Sequence, residues 1–388
     1  MKKRPNEDFA LAPGGPVDRV QERLKLTSPD SLRIGRRALA IAIVAWVPLA
    51  VMVILHPNRD ADISFLRDIA VHTRFLLIIP ILLAAEGVIG GRSRVVVSHF
   101  RTSGLVGPND APRYEAAVKR GHRLVDSTVV ELLLMLLSAA LVYSSIRGIL
   151  AEPASFWFER VTAHGNELST AGWWYAAIAL PIFVFVMLRW LWRYLVWWWF
   201  LGRVARLDLR LTASHPDRAG GLGFVSFHHG AFATITFAVG CAVSAAAANR
   251  LLYAGATLDS FKIPIIGISI LAVMMGVAPM LVFTPRLIAA KRNGWSTYSR
   301  FATDYVWNFE QKWFTAGGTS EESLGSGDIQ SLADLGGSFD RLVHMQSVLI
   351  DRRLMLSFGI AAVAPMLPLL LTIMPFKEIM RVLVKALL

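Results

Sequence analysis

Seven long apolar blocks, separated by polar and charged connections, limit what this chain can fold into more than any other feature of its sequence. The blocks are Ala38–Leu55, Ile69–Ile89, Val129–Leu150, Gly172–Phe200, Phe224–Ala247, Ile263–Phe283 and Leu354–Met374. A helix rises about 1.5 Å per residue and a bilayer core is about 30 Å thick, so about 20 apolar residues suffice to cross. Within hydrocarbon the backbone must satisfy its own hydrogen bonds, which leaves helices as the solution for blocks of this length. The expected fold is therefore an all-α polytopic membrane helix bundle of about seven transmembrane helices. The second block is the weakest, and the fourth is long enough to tilt or protrude.

The cations orient the bundle. The tail before the first block and every second connection after it are rich in lysine and arginine, and those between are poor. Of the 40 such residues, about thirty fall on one side. That side is read as cytoplasmic and places the N-terminus inside. One missed or invented helix would break the alternation. The chain divides into a basic cytoplasmic tail, 1–36, and a bundle, 37–388, whose largest cytoplasmic loop is 291–352. The net charge of +12 lies between apolar blocks and not on a soluble face, which argues for anionic lipid headgroups as partners and against nucleic acid. The single cysteine, Cys241, excludes an internal disulfide and a cysteine-based zinc site. No cofactor is expected.

Ionisable residues inside apolar blocks are costly and so informative. Glu86, Glu131, Arg189, Arg193, His228, His229 and Arg286 all fall at the cytoplasmic depth of their blocks. Either each snorkels separately to water, or Glu86 or Glu131 pairs with Arg189 or Arg193 inside the bundle and lines a path for an ion or proton. The aromatic groups Trp173–Tyr175 and Trp190–Trp199 read as interfacial belts. Prolines 80, 181, 279, 365 and 368 are expected to kink four spans. Gly240 and Ser244 form a small-xxx-small pair suited to close helix approach, which makes the fifth span central.

Between the fourth and fifth blocks lies His215-Pro216-Asp217-Arg218-Ala219-Gly220-Gly221-Leu222-Gly223-Phe224. No Gly-Lys-Ser/Thr follows and no strand precedes it, so it is neither a P-loop nor a dinucleotide fingerprint. It reads as a tight turn. Alternatively, the backbone N–H groups around Gly220, Gly221 and Gly223, with His215, Asp217 and Arg218, cradle a phosphate or lipid headgroup. The spacing of the histidines and Asp217 matches no metal site.

Several connections read as helical. A helix opens at Asp110 and Pro112. Tyr298, Phe301, Tyr305, Phe309 and Trp313 repeat at helical spacing, as in a helix lying on the membrane surface. Short helices follow over Asp328–Leu335 and Phe339–Leu349. The segment Ala316–Gly327 reads as a mobile linker, and Phe376–Leu388 as an interfacial tail.

The segments His215–Phe224 and Asp328–Leu335, with the apolar run Pro365–Leu371, resemble an uncharacterised family of bacterial polytopic inner-membrane proteins. The resemblance runs from about Ser31 to the C-terminus. It implies a multi-pass protein of the bacterial inner membrane and carries over no activity and no site residue. A rhodopsin is excluded because the last span carries no lysine for a Schiff base. Three function classes stay open: transport or conduction of a small solute or ion, a non-catalytic scaffold or sensory subunit, and an enzyme acting on a lipid headgroup.

Overall fold

A computed structural model describes residues 10–12, 15–26, 33–58, 61–150, 156–162, 165–253, 255–315 and 327–371. The linker and tail expected at 316–326 and 376–388, and the end of the seventh block beyond 371, lie outside the described residues. In order, the described elements are α1 (Pro16–Arg23), α2 (Ile34–Leu55), α3 (Ile69–Thr102), α4 (Ala111–Val125), α5 (Thr128–Ile149), β1 (Glu159–Thr162), β2 (Gly165–Leu168), α6 (Thr170–Val204), α7 (Gly223–Tyr253), α8 (Lys262–Leu281), α9 (Thr284–Glu310), α10 (Gly327–Val343) and α11 (Arg352–Leu369). Seven of these, α2, α3, α5, α6, α7, α8 and α11, are long and apolar enough to cross a membrane. The chain is an integral, multi-pass membrane protein. Helix α5 makes the physical case: Val129, Leu132, Leu133 and Leu136 are all more than half exposed. An apolar face of that extent has no place in water and matches lipid.

Helix α7 sits at the centre, packed on α3, α8 and α11. Its apolar window is 67 % buried, the highest share among the seven. The cause is side-chain size. A Cβ on Gly240 would lie 2.9 Å from Pro365 Cγ of α11, so only glycine permits that approach. Around this centre α5 packs on α6, α8 on α11, and α4 on the inner half of α6.

Two of the prolines follow a local change of winding. Pro80 follows a π-helical turn at Thr73–Ile78, and Pro181 follows another at Tyr175–Ala179. Each proline removes one backbone donor, and the wider turn before it re-registers the freed carbonyls. In α8, Pro279 leaves the Met275 carbonyl without its helical partner. His229 Nε2 donates to that oxygen at 2.8 Å, and the Tyr194 hydroxyl donates at 3.3 Å.

Several local expectations are corrected. The second span does not end at Ile89. It continues through Arg92 and Arg94 to Thr102, because Val96, Val97 and Phe100 stay buried beyond the bilayer-length stretch, with Phe100 against Tyr114 of α4. The aromatic helix begins at Thr284 and does not lie alone on a surface. It pairs with α10 through Trp295 on Phe339, the Tyr305 hydroxyl on the Asp328 carbonyl, and a Lys312–Asp328 ion pair. The two short helices after Asp328 are one, because the α10 backbone runs through Gly336 and Gly337 without a break up to Val343. A β-hairpin, β1 paired antiparallel with β2, covers the start of α6 and has no counterpart in the sequence reading.

Candidate functional site

At the end of the bundle that carries the basic loops, six charged side chains converge and exclude water. Glu86 comes from α3, Glu131 from the first turn of α5, Arg189 and Arg193 from α6, Arg37 from the first turn of α2, and Asp18 from α1. All are at most 6 % exposed. Arg189 forks onto Asp18, its Nη2 donating to Oδ2 at 2.8 Å and its Nη1 to Oδ1 at 3.2 Å. Its Nε lies 3.1 Å from Glu131 Oε1. Arg193 donates to Glu86 at 2.8 Å and to Asp18 at 3.3 Å, and its guanidinium lies over the Trp190 ring. Arg37 donates to the other oxygen of Glu86 and approaches Asp18 at 3.7 Å.

Three carboxylates thus face three guanidiniums. Isolated charges at this depth are strongly penalised. A balanced set with good geometry removes most of that penalty, while the loss of one member leaves a buried charge unmatched. The i, i+4 spacing of Arg189 and Arg193 puts both on one face of α6.

Two of the six, Asp18 and Arg37, escape a reading based on depth, since both precede or just enter the first apolar block. The segment that bears Asp18 is seated in a fitted groove. Leu11 and Ala12 are buried, and the Leu11 N–H donates to Ser93 Oγ of α3 at 3.1 Å. A Cβ on Gly90 would lie 2.1 Å from the Ala12 carbonyl oxygen, so glycine is what lets the segment lie on α3. Helix α1 starts at Gly15, which has a φ of +110° and no side chain to cap it. Caps come from the α4–α5 turn and from α5: Asp126 accepts from the Gly15 N–H at 2.9 Å, and Glu131 Oε2 accepts from the Val17 N–H at 2.9 Å. Arg19 Nη1 donates to both oxygens of Asp126, at 2.8 and 2.9 Å. The signal for this helix was present, a proline at its first position and an aspartate in its first turn.

The other residues expected at this depth do not join the cluster. His229 is buried on the Met275 carbonyl and stacked on Phe358. His228 packs on Phe227. Arg286 lies beyond the far end of α6, where its Nε and Nη2 donate to the carbonyls of Ala205 and Arg206 at 3.2 and 3.0 Å, closing the helix C-terminus. Among the described residues no group of three His, Cys, Asp or Glu side chains converges in a way that could hold a metal ion.

In the glycine-rich loop, the amide donors that a phosphate would need are engaged from within. Asp217 accepts from the N–H groups of Ala219, Gly221 and Gly223 at 2.8, 3.1 and 2.9 Å. The loop also docks on the basic end of the bundle, where the Gln346 N–H donates to the Arg218 carbonyl at 2.7 Å. Gly220 and Gly221 adopt φ of +66° and +97°, which L side chains avoid. Partial burial on its own would raise the Asp217 pKa. The three amides and His215 outweigh it and hold the carboxyl below the ordinary aspartate value. A carboxylate held low in the fold stabilises above its unfolded pKa of about 3.9 and loses that contribution as pH falls through the folded value. Asp217→Asn is therefore expected to lower stability at neutral pH by about 1–2 kcal/mol, the range for losing such hydrogen bonds at a partly exposed site. The gap from wild type should close on acidification below about pH 4, read by thermal unfolding across pH.

No family model, no curated protein sequence and no solved structure matches the chain.

Proposed function

We propose that this chain is a gated carrier or channel for a small anion in the bacterial inner membrane, closed at its cytoplasmic end by the segment that carries Asp18. One observation supports this reading. Of the three acids that balance Arg37, Arg189 and Arg193, one is supplied by a helix outside the spans, and its carboxylate sits in the forks of Arg189 and Arg193. When α1 leaves, three guanidiniums face two glutamates, and the place Asp18 held becomes an anion site with both forks directed at it. Asp18 thus stands where the carboxylate or phosphate oxygen of a solute would stand. The basic connections meet anionic headgroups on the same side.

The test is uptake of chloride, acetate and phosphate into proteoliposomes, comparing wild type, Asp18→Asn and a chain lacking residues 1–26. Both changes are expected to raise anion flux well above wild type while leaving cation flux at background. Absence of flux in all three proteins, folded and reconstituted, overturns the proposal.

A second reading has its own support. The α9–α10 hairpin leaves Phe301, Trp307 and Phe314 more than half exposed, in or just beyond α9. A scaffold or sensory subunit would use such a surface to hold a partner. Flux-inactive protein that still gave an Asp18-dependent change in α9 exposure would move the assignment there.

A further inference from the structure

A second arginine in the bundle has a different environment. Arg74 lies in α3 at the end opposite the basic loops, about one and a half turns inside its start at Ile69. It is held by the Tyr175 hydroxyl of α6 and lies 5.9 Å from the centre of the Phe183 ring. Among the described residues it has no carboxylate partner. The nearby acid Asp68 is directed elsewhere, accepting from Trp157 Nε1 at 2.8 Å, Asn249 Nδ2 at 2.7 Å and the Val71 N–H at 3.0 Å.

Arg74 faces a partly open cavity of about 380 Å³ between α3, α6, α7 and α8, bordered by Phe156 and Phe158 next to the β-hairpin. This is within the usual size of small-ligand sites, about 300–1,000 Å³. Asp68, engaged as described, and Arg250 also line it; beyond these, Arg74, Tyr175 and Asn249 the walls are predominantly apolar, with Phe156 and Phe158 on one side and Ala246 and Ala247 of α7 and Phe261 on the other. The alanines of α7 leave the space open. The π-helical turns of α3 and α6 lie here. One contains Arg74 and the other begins at Tyr175, so two spans widen their winding at the two residues that bond one another. Such turns recur at functional sites because they re-aim a side chain without breaking the helix.

We propose that this cavity binds an anionic head carried on an apolar chain, with the head on Arg74 and the chain along Ala246, Ala247 and Phe261. An intramembrane guanidinium lacking a counter-charge is expensive, and an anion delivered with its own apolar body offsets that cost where water alone does not. Tyr175 is a positioning residue that holds the guanidinium towards the cavity. The inference stands apart from the anion flux proposed at the other end, since it is read by binding alone.

The probe is radiolabelled decanoate, added to purified protein in phosphatidylcholine nanodiscs with empty discs as the blank. Wild type is expected to bind saturably, one decanoate per chain. Arg74→Gln is expected to weaken binding about tenfold or more, the scale for losing a charge-assisted contact. Ala246→Leu fills the space and leaves Arg74 in place, so it should weaken binding to a similar degree even if Arg74→Gln folds poorly. Thermal unfolding of each variant separates the two causes. Discs containing phosphatidylglycerol identify the source of the anion. Competition with decanoate assigns the site to a bilayer lipid head, and undiminished binding assigns it to a free amphiphilic acid. Decanoate binding that is unchanged in Ala246→Leu, or matched by decyltrimethylammonium, overturns the proposal.

Discussion

Arg193→Met is expected to abolish accumulation of folded protein. Arg193 is 1 % exposed and serves both Glu86 and Asp18. Methionine matches much of its length and removes the charge, leaving three carboxylates against Arg37 and Arg189. Breaking a buried pair from one side costs about 3–5 kcal/mol, against a net stability of about 5–15 kcal/mol for a folded domain. The charge-balanced double variant, Arg193→Met with Glu86→Gln, leaves two acids facing two arginines. It should recover a substantial part of the loss, so the two changes together cost less than their sum. Yield of monodisperse protein in detergent and its thermal midpoint read the effect. A single variant that melts with the wild type, or a double variant no better than the single, shows that the six charges are separately solvated and do not form one balanced set.

The bundle was legible because its rule is simple. Apolar length selects helices, and the seven blocks read from the sequence correspond to the seven long apolar helices. Depth put Glu86 and Glu131 level with Arg189 and Arg193 and left open whether they pair or snorkel separately; the bundle brings Glu86 to Arg193 and Glu131 to Arg189. The same reasoning hid two of the six charges. Asp18 falls in the basic tail, 1–36, and Arg37 just ahead of the first apolar block, and nothing in local composition says that a short polar helix will turn back under the spans. What fixes that helix is tertiary: Gly90 opens the groove, Ser93 binds the Leu11 amide, and Asp126 and Glu131 supply the missing caps.

Arg74 escaped for a different reason. It lies inside the second block but at the end opposite the ionisable residues that share the cytoplasmic depth, so depth did not group it with any partner. The glycine-rich loop shows a third limit. Its glycines announced unusual backbone angles correctly, but the partner of the freed amides, Asp217, was part of the motif itself. Depth also grouped His229 and Arg286 with the acids, although each answers a backbone vacancy, one opened by Pro279 and one at the end of α6.

Gly90→Ala is expected to evict the N-terminal segment while sparing the bundle. The added Cβ would lie 2.1 Å from the Ala12 carbonyl oxygen and 3.0 Å from its carbonyl carbon. Both are backbone atoms, so no rotamer change relieves the clash, and either α3 or the segment must move. Helix α3 is anchored along its length in the bundle core, whereas the segment is held by Leu11, Ala12, a few amide bonds and Asp18. The segment is therefore the part that yields. Gly91→Ala is the matched control, because nothing lies within 4 Å of a Cβ there and alanine favours the helix by about 0.5–1 kcal/mol. In hydrogen exchange, the Leu11 and Val17 amides should be protected in wild type and in Gly91→Ala and lose protection in Gly90→Ala. Amides in the centre of α7 should stay protected in all three. If α1 is the gate, Gly90→Ala also reproduces the anion flux of Asp18→Asn without altering a single charge. Loss of protection with no flux would separate the two ideas: the segment is docked as described, and its departure opens nothing.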